Sequence, residues 1–462
     1  MTQENTVDKR HFYQTLVKLA IPVSLQNMIS SSLNLVDTVM IGQLGAVEVA
    51  AVGLANRLFF VFILVSFAIS SGTAIFTAQF WGKKDVQHIG KVMGIALVLI
   101  IAISFIFSFG ALVIPNLVMQ IFTQDQLVIG NGSTYLRIVG WSYLLSSVTM
   151  LYAFILRSME QVKVPMYAST LALGLNTLLN YCLILGHFGF PALGVQGAAI
   201  ATVIARAIEV AIIVITTYRK RYPAIHFSDF GAIPKVLIKQ FFATTLPVIA
   251  NEFSWVVGVT TYSIVYGRMG TAEIAAVNII NPVEQISSSI FFGLASAASV
   301  MIGNQIGAGR EKTAYIYAKR FALLGVTGAI FIGGIIFLST SQITSLFKVA
   351  PEIRMFAGNM LFVLSAVLWI RVFNTINVVG VLRGGGDTTF SMYMEIMSVW
   401  GVGVPLAFFG GFYLKIPVYW VFVLVNLEEA VKMAVGLYRM HSGKWIHNLT
   451  HVVVPLETVG EQ

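Results

Sequence analysis

The sequence predicts an all-α integral membrane protein with twelve transmembrane helices in two homologous lobes of six. Three observations carry that prediction: a composition too apolar for water, an even series of helix-length apolar segments, and an internal duplication at a constant offset.

Hydrophobic residues make up 57% of the 462 residues and charged residues 11%, with a mean hydropathy of +0.83. A water-soluble fold keeps about a quarter of its residues charged to cover its surface. This chain cannot, so its solvent is lipid. A spanning helix takes roughly 20 apolar residues, so the length leaves room for about 12 spans and no sizeable soluble domain. The net charge of +9 does not point to nucleic acid, because Lys and Arg lie in short connections with no basic stripe or recognition motif. The single Cys182 can form neither an intramolecular disulfide nor a cysteine-based metal site. The first apolar stretch is long and lacks a small-residue cleavage pattern, so the first helix is expected to stay in place.

Apolar segments bounded by charge, Pro or Gly fall near 15–40, 50–80, 90–115, 133–156, 164–187, 192–217, 240–266, 274–306, 316–340, 355–382, 390–412 and 417–438. An even number returns the chain to the side where it began. Basic residues in short loops mark the cytoplasmic side. Lys83, Lys84, Arg157, Arg219, Lys220, Arg221, Arg310 and Lys312 all fall on the side of the N-terminus, against Arg137, Arg268, Lys348, Arg354 and Lys415 on the other. Both termini are therefore expected in the cytoplasm of a multi-pass protein, and in a bacterial cell the membrane is the inner one.

Residues 42–52 (GQLGAVEVAAV) align with 267–277 (GRMGTAEIAAV) at an offset of 225, and Pro22/Pro247 and Asn56/Asn281 keep the same offset. LRSMEQVKVPM (156–166) mirrors LRGGGDTTFSM (382–392) at 226. Six spans per half give both halves one membrane orientation, a parallel repeat of the kind transporters use to place a site at the interface. The expected organisation is an N-lobe at 1–218, a cytoplasmic linker at 219–239, a C-lobe at 240–440 and a cytoplasmic tail at 441–462.

Ionisable groups are costly in hydrocarbon unless they face a partner or a wet cavity. In the first helix, Asn27, Ser30, Ser31, Asn34, Asp37 and Thr38 recur at steps of three and four and share one face. A polar stripe ending in a carboxylate reads as a cavity wall, with Asp37 suited to take and release a proton. Asn176 and Asn180 share a face of the fifth helix, and Thr202 lies in the sixth. These groups can hydrogen-bond Asp37, complete an oxygen shell for a cation, or simply join helices. In the second half, Glu252 occupies the place of Asn27, while Arg371, Asn374 and Asn377 form a stripe in the tenth helix. That stripe sets Arg371 to pair with Glu252 or another glutamate. Glu284, Glu395, Glu428, Glu429 and Lys432 are further embedded charges. The GGGD turn at 384–387 lacks the strand and Lys of a phosphate loop, and its Arg and Asp are expected to anchor an inside turn. There is no catalytic dyad and no metal-ligand spacing, so no enzyme and no cofactor are expected.

These residues together resemble the multidrug and toxic compound extrusion (MATE) transporters. The marks are VDTVMIGQLG (36–45), its counterpart GRMGTAEIAAVN, TAQFWGKKD (77–85), GVQGAAIATVIA (194–205) and LRGGGDTTFSM, which run through nearly the whole chain. The VDT-x-MIG form resembles the DinF-type branch. The resemblance implies a V-shaped bundle with a central cleft and export of amphipathic, often cationic drugs or metabolites in exchange for an inward ion. It implies Asp37 as the proton-coupling carboxylate, with Asn176 and Thr202 as partners and Tyr135 also involved. Two departures stand out. The fifth-helix partner that is often Asp is Asn180, and the tenth-helix Asp of the sodium-coupled branch is absent near Val372, although Glu252 matches that branch's seventh-helix Glu. The expected coupling ion is H⁺, with Na⁺ as the alternative, and the expected form is a monomer in lipid. A lipid-linked oligosaccharide flippase of the same superfamily, a channel and a membrane enzyme are the other readings. The flippase would bring extra spans and an Arg-rich cavity, a channel would show flux without saturation, and the enzyme would need a catalytic constellation.

Overall fold

The computed structural model describes residues 9–225 and 233–451, and the side chains of all these except 31–35. Among the described residues there are helices and no strand. The long elements are α1 Lys9–Gly42, α2 Ala46–Lys83 and α3 Val86–Val113, then a short α4 Pro115–Gln120. They continue as α5 Gln126–Val139, α6 Ser142–Ser158, α7 Lys163–Leu185, α8 Val195–Arg219, α9 Lys235–Met269, α10 Thr271–Gly307 and α11 Glu311–Ser345. The series closes with α12 Pro351–Leu382, α13 Thr388–Tyr413 and α14 Val418–Ser442.

Among the described residues nine helices are long and apolar enough to cross a bilayer, and α5 with α6 makes a tenth span bent by 52°. The remaining two, α1 with 34 residues and α14 with 25, are more polar. At about 1.5 Å per residue both still exceed the roughly 30 Å of a hydrocarbon core. The chain is therefore a multi-pass membrane protein of twelve spans. The fourth span starts earlier than the apolar segment 133–156, because Asp125 caps α5 by accepting from the backbone N–H groups of Leu127 (2.9 Å) and Val128 (3.4 Å).

Large apolar side chains point outward, among them Phe105, Ile106, Phe331 and Leu338, which suits a lipid surface and not water. Several polar side chains inside the spans are satisfied locally. Ser66, Ser70 and Thr73 return their hydroxyls to carbonyls four residues back, and Thr77 meets Ser158 of α6 at 2.6 Å.

The duplication is built into the backbone. Pro22 lies inside α1 and Pro247 inside α9. Gly45 opens α2 at φ 142°, and a Cβ there would come within 2.7 Å of the Glu48 carboxylate. A Cβ on Gly270 would collide in the same way with Glu273 at the start of α10. Each glutamate sits in the first turn of its helix, where a negative charge complements the exposed N–H groups.

The chain groups into two compact units. One is Leu25–Phe241; the other is formed by the described residues of Met1–Ser24 and Phe242–Gln462. The boundary falls inside α1, whereas the sequence expectation put all of 1–218 in the N-lobe. Packing explains where the first turns of α1 belong: Phe12 is fully buried against the rings of Tyr317 (4.8 Å) and Phe321 (5.2 Å). Ser24 Oγ donates to the Ile290 carbonyl at 2.9 Å.

In the Leu25–Phe241 unit, the core joins α2, α3, α5, α6 and α8 around Phe62, whose ring stacks on Tyr143 at 5.0 Å. Tyr135 is buried in the same core, which fixes the α5 wall of the site described next.

Candidate functional site

A cavity of about 360 Å³ opens within the Leu25–Phe241 unit. It is lined by Asp37 and Thr38 of α1, Asn56 of α2, Tyr135 of α5, Asn176 and Asn180 of α7, and Thr202 and Arg206 of α8, with Ile41, Val52, Phe59 and Leu173 among its apolar walls.

Helical spacing aligns the polar side chains. Asn176 and Asn180 are four apart on α7, as are Ala198, Thr202 and Arg206 on α8, so each set points the same way. Asn180 Nδ2 donates to Asp37 Oδ1 at 2.8 Å and to Asn176 Oδ1 at 3.4 Å. Asn176 Nδ2 reaches Thr202 Oγ1 at 3.5 Å, and that hydroxyl donates to the Ala198 carbonyl at 2.9 Å. A continuous polar chain thus runs from the α1 carboxylate across α7 to α8. Asn180 is 2% exposed, and its Oδ1 accepts no hydrogen bond from the described protein atoms. Asp37 with the amide and hydroxyl oxygens can hold a proton or a small cation. Tyr135 lines the wall beside it. Asn34 belongs to the same sequence stripe, but its side chain lies outside the described residues.

Sequence reasoning passed over Arg206 and Glu209. Arg206 Nη1 donates to Glu209 Oε2 at 2.6 Å. Glu209 Oε1 accepts from Ser169 Oγ at 2.6 Å, Ser169 from Gln26 Nε2 at 2.7 Å, and Gln26 Oε1 from Arg157 Nη2 at 2.6 Å. The available signal was an Arg and a Glu three apart in an otherwise apolar span, the pattern that marks an embedded charge pair.

The remaining candidates lie in the other unit, where Arg371, expected to pair with Glu252 or another glutamate, meets another glutamate. Arg371 does not meet Glu252. Arg371 Nη1 donates to Glu284 Oε1 at 2.5 Å, while Glu252 Oε1 accepts from Arg383 Nη2 at 2.5 Å. Arg371 lies on α12 and Arg383 directly follows its last residue, twelve residues and about 18 Å of helix rise further on, so only one of them can be level with Glu252 of α9. Arg383 also donates to Asn251 Oδ1 at 2.7 Å. Asn374 Nδ2 is held by Glu429, at 2.6 Å to Oε2 and 2.8 Å to its carbonyl. Lys432 is surrounded by Glu395 (2.8 Å), Glu429 (3.3 Å) and Glu428 (3.4 Å), and Tyr262 donates to Glu428. In the GGGD turn, Asp387 accepts from Arg439 Nε at 2.7 Å. Among the described residues no cluster of His, Cys, Asp and Glu is arranged to hold a metal ion.

Comparison with known proteins follows the same outline. The sequence model of the MatE family matches residues 22–182 and 247–409, one stretch in each half. The Probable multidrug resistance protein NorM of Rhizobium meliloti is 29% identical over 410 residues, covering 85% of each chain. The Uncharacterized transporter YisQ of Bacillus subtilis is 26% identical over 443 residues, covering 94% of this chain and 95% of its own. Among solved structures, a MATE protein in a bent conformation superposes with a TM-score of 0.85 at 20% identity, over 94% of this chain and 96% of that one. A transporter of the MOP superfamily from Pyrococcus furiosus gives 0.82 at 21% identity, over 94% and 97%. At these identities the structures speak for the fold.

Proposed function

The chain belongs to the MatE family, whose members are transporters and not enzymes, and from that premise we propose that it exports amphipathic, often cationic drugs or metabolites in exchange for inward protons. Relatives in Rhizobium meliloti and Thermotoga maritima are named as probable multidrug resistance proteins, and the two units would act as the lobes of an alternating-access cycle. The single observation that supports proton coupling best is the Asp37–Asn180–Asn176–Thr202 chain in the wall of a cavity of about 360 Å³. A carboxylate in such a cavity attracts either a proton or the ammonium of a substrate, and competition between the two is what exchange requires.

The protein purified into liposomes tests this. Drug efflux is expected under a proton gradient alone, and Asp37→Asn, which keeps size and hydrogen bonding but cannot titrate, is expected to reduce it to the level of empty liposomes. Wild-type efflux in that variant ends the coupling role. Sodium is the second reading, because the same amide and hydroxyl oxygens suit a hard cation; efflux driven by a sodium gradient alone would favour it. No cofactor takes part in either scheme.

The same reading has the chain act as a monomer in the cell inner membrane, and the asymmetry of basic residues supports both termini and the 219–239 linker lying in the cytoplasm. In a Cys182→Ser background, Lys220→Cys should resist an impermeant thiol reagent added to whole cells. Strong labelling from outside would reverse the orientation.

A further inference from the structure

Two opposite charges line the same cavity. Asp37 enters from α1 and Arg206 from α8, and Arg206 stands four residues, about 6 Å of helix rise, beyond the Thr202 that ends the polar chain from Asp37. The manner in which Arg206 is held separates a ligand-binding role from a packing role. Its partner Glu209 is 2% exposed, whereas Arg206 keeps 32% of its side chain open. Both Glu209 oxygens are occupied, Oε2 by Arg206 and Oε1 by Ser169, and Ser169 is anchored in turn through Gln26 to Arg157. The glutamate is thus a fixed buttress behind the guanidinium. Glu209 is the hydrogen-bond partner of Arg206 among the described residues, so most of the five guanidinium N–H donors remain for something that enters the cavity. A charge present only to neutralise Glu209 would be buried with it.

We propose that Arg206 is an anion-accepting subsite, and that the cavity therefore selects amphipathic zwitterions, taking the cationic group at Asp37 and a carboxylate at Arg206. The guanidinium fork matches a carboxylate in two parallel hydrogen bonds. Ile41, Val52, Phe59 and Leu173 receive the apolar body between the charged ends, and the volume lies in the range of drug-sized pockets. A zwitterion enters without adding net charge, whereas a pure anion brings no cationic group for Asp37. The inference rests on the reading of this cavity as the substrate site.

A rhodamine free acid and its methyl ester form a matched pair: both carry the delocalised cation, and only the acid carries the carboxylate. Their equilibrium binding to the purified full-length protein is followed by fluorescence anisotropy with no ion gradient, so the result does not depend on the coupling ion. The wild type should bind the acid more tightly than the ester. Arg206→Met should weaken the acid about tenfold, the scale of one charge-assisted hydrogen bond, and leave the ester nearly unchanged. The double variant Arg206→Met, Glu209→Gln removes the carboxylate that the single variant strands and should show the same selectivity, and Arg206→Lys should keep part of the preference. Equal wild-type affinity for acid and ester overturns the subsite without any variant, as does an equal loss of both dyes in Arg206→Met. Failure of the wild type to bind either dye overturns the subsite and the substrate-cavity reading together. Proton-driven efflux that survives Asp37→Asn removes the coupling role while leaving the acid-to-ester ratio as the measure of Arg206.

Discussion

The two units use buried charge in different ways. In Leu25–Phe241, Asp37 and Arg206 border an open cavity, and the amides beside them retain an acceptor, Asn180 Oδ1, that no described protein atom fills. In the other unit the charges are paired with one another: Lys432 has three carboxylates within 3.4 Å, Arg371 has Glu284 in a pair that stays 25–32% exposed, and Arg383 has Glu252 and Asn251. A buried ion pair gains little net stability over apolar packing, but breaking one strands a charge at several kcal/mol. Duplicated sequences have therefore diverged in what their polar residues do. In the first unit Asp37 and Arg206 line a cavity, whereas the charges named in the second are joined in ion pairs.

The comparison is sharpest at Lys432. Its replacement by Met leaves Glu395, Glu428 and Glu429 without their cation, and a loss of about 3–5 kcal/mol is expected, read as a lowered melting temperature of the purified protein. A melting curve indistinguishable from wild type would mean that the network is open to solvent or to an ion.

A smaller, more selective effect belongs to Glu252. Glu252→Gln should destabilise through Arg383, and Glu252→Gln with Arg383→Met should recover part of the loss, since residues in one pair are not additive. Glu252→Gln with Arg371→Met should instead be additive within about 0.5 kcal/mol, because these two side chains answer to different partners. Coupling of Glu252 to Arg371 in place of Arg383 would overturn the pairing seen here.

The smallest stability effect is expected at the site itself. Asp37→Asn retains its Asn180 partner, so its melting temperature should stay close to wild type, within about 1 kcal/mol of stability, while transport is lost. A large destabilisation would place Asp37 among the structural charges.

Much of the first unit was legible because its signals are local. Steps of three and four put Asp37 on one face of α1, Asn176 with Asn180 on one face of α7, and Thr202 on α8; the structure brings all four to one cavity with Tyr135. The Arg206–Glu209 pair carried the same local signal at a spacing of three, and was overlooked among stronger motifs. The partners of Glu252 and Arg371 were not legible, because no periodicity along one helix reports the depth of another.

By itself the sequence determined the membrane solvent, the number of spans and the duplication, since composition, segment length and offset are properties of the chain alone. It also determined which residues of each helix share a face, because an α-helix repeats every 3.6 residues whatever surrounds it. Only the tertiary structure decided that the start of α1 packs with Tyr317 and Phe321, that Arg383 and not Arg371 reaches Glu252, and that Arg206, paired with Glu209, lines the cavity with Asp37. Those outcomes depend on the relative height and rotation of helices distant in sequence, which close packing sets and no single helix encodes.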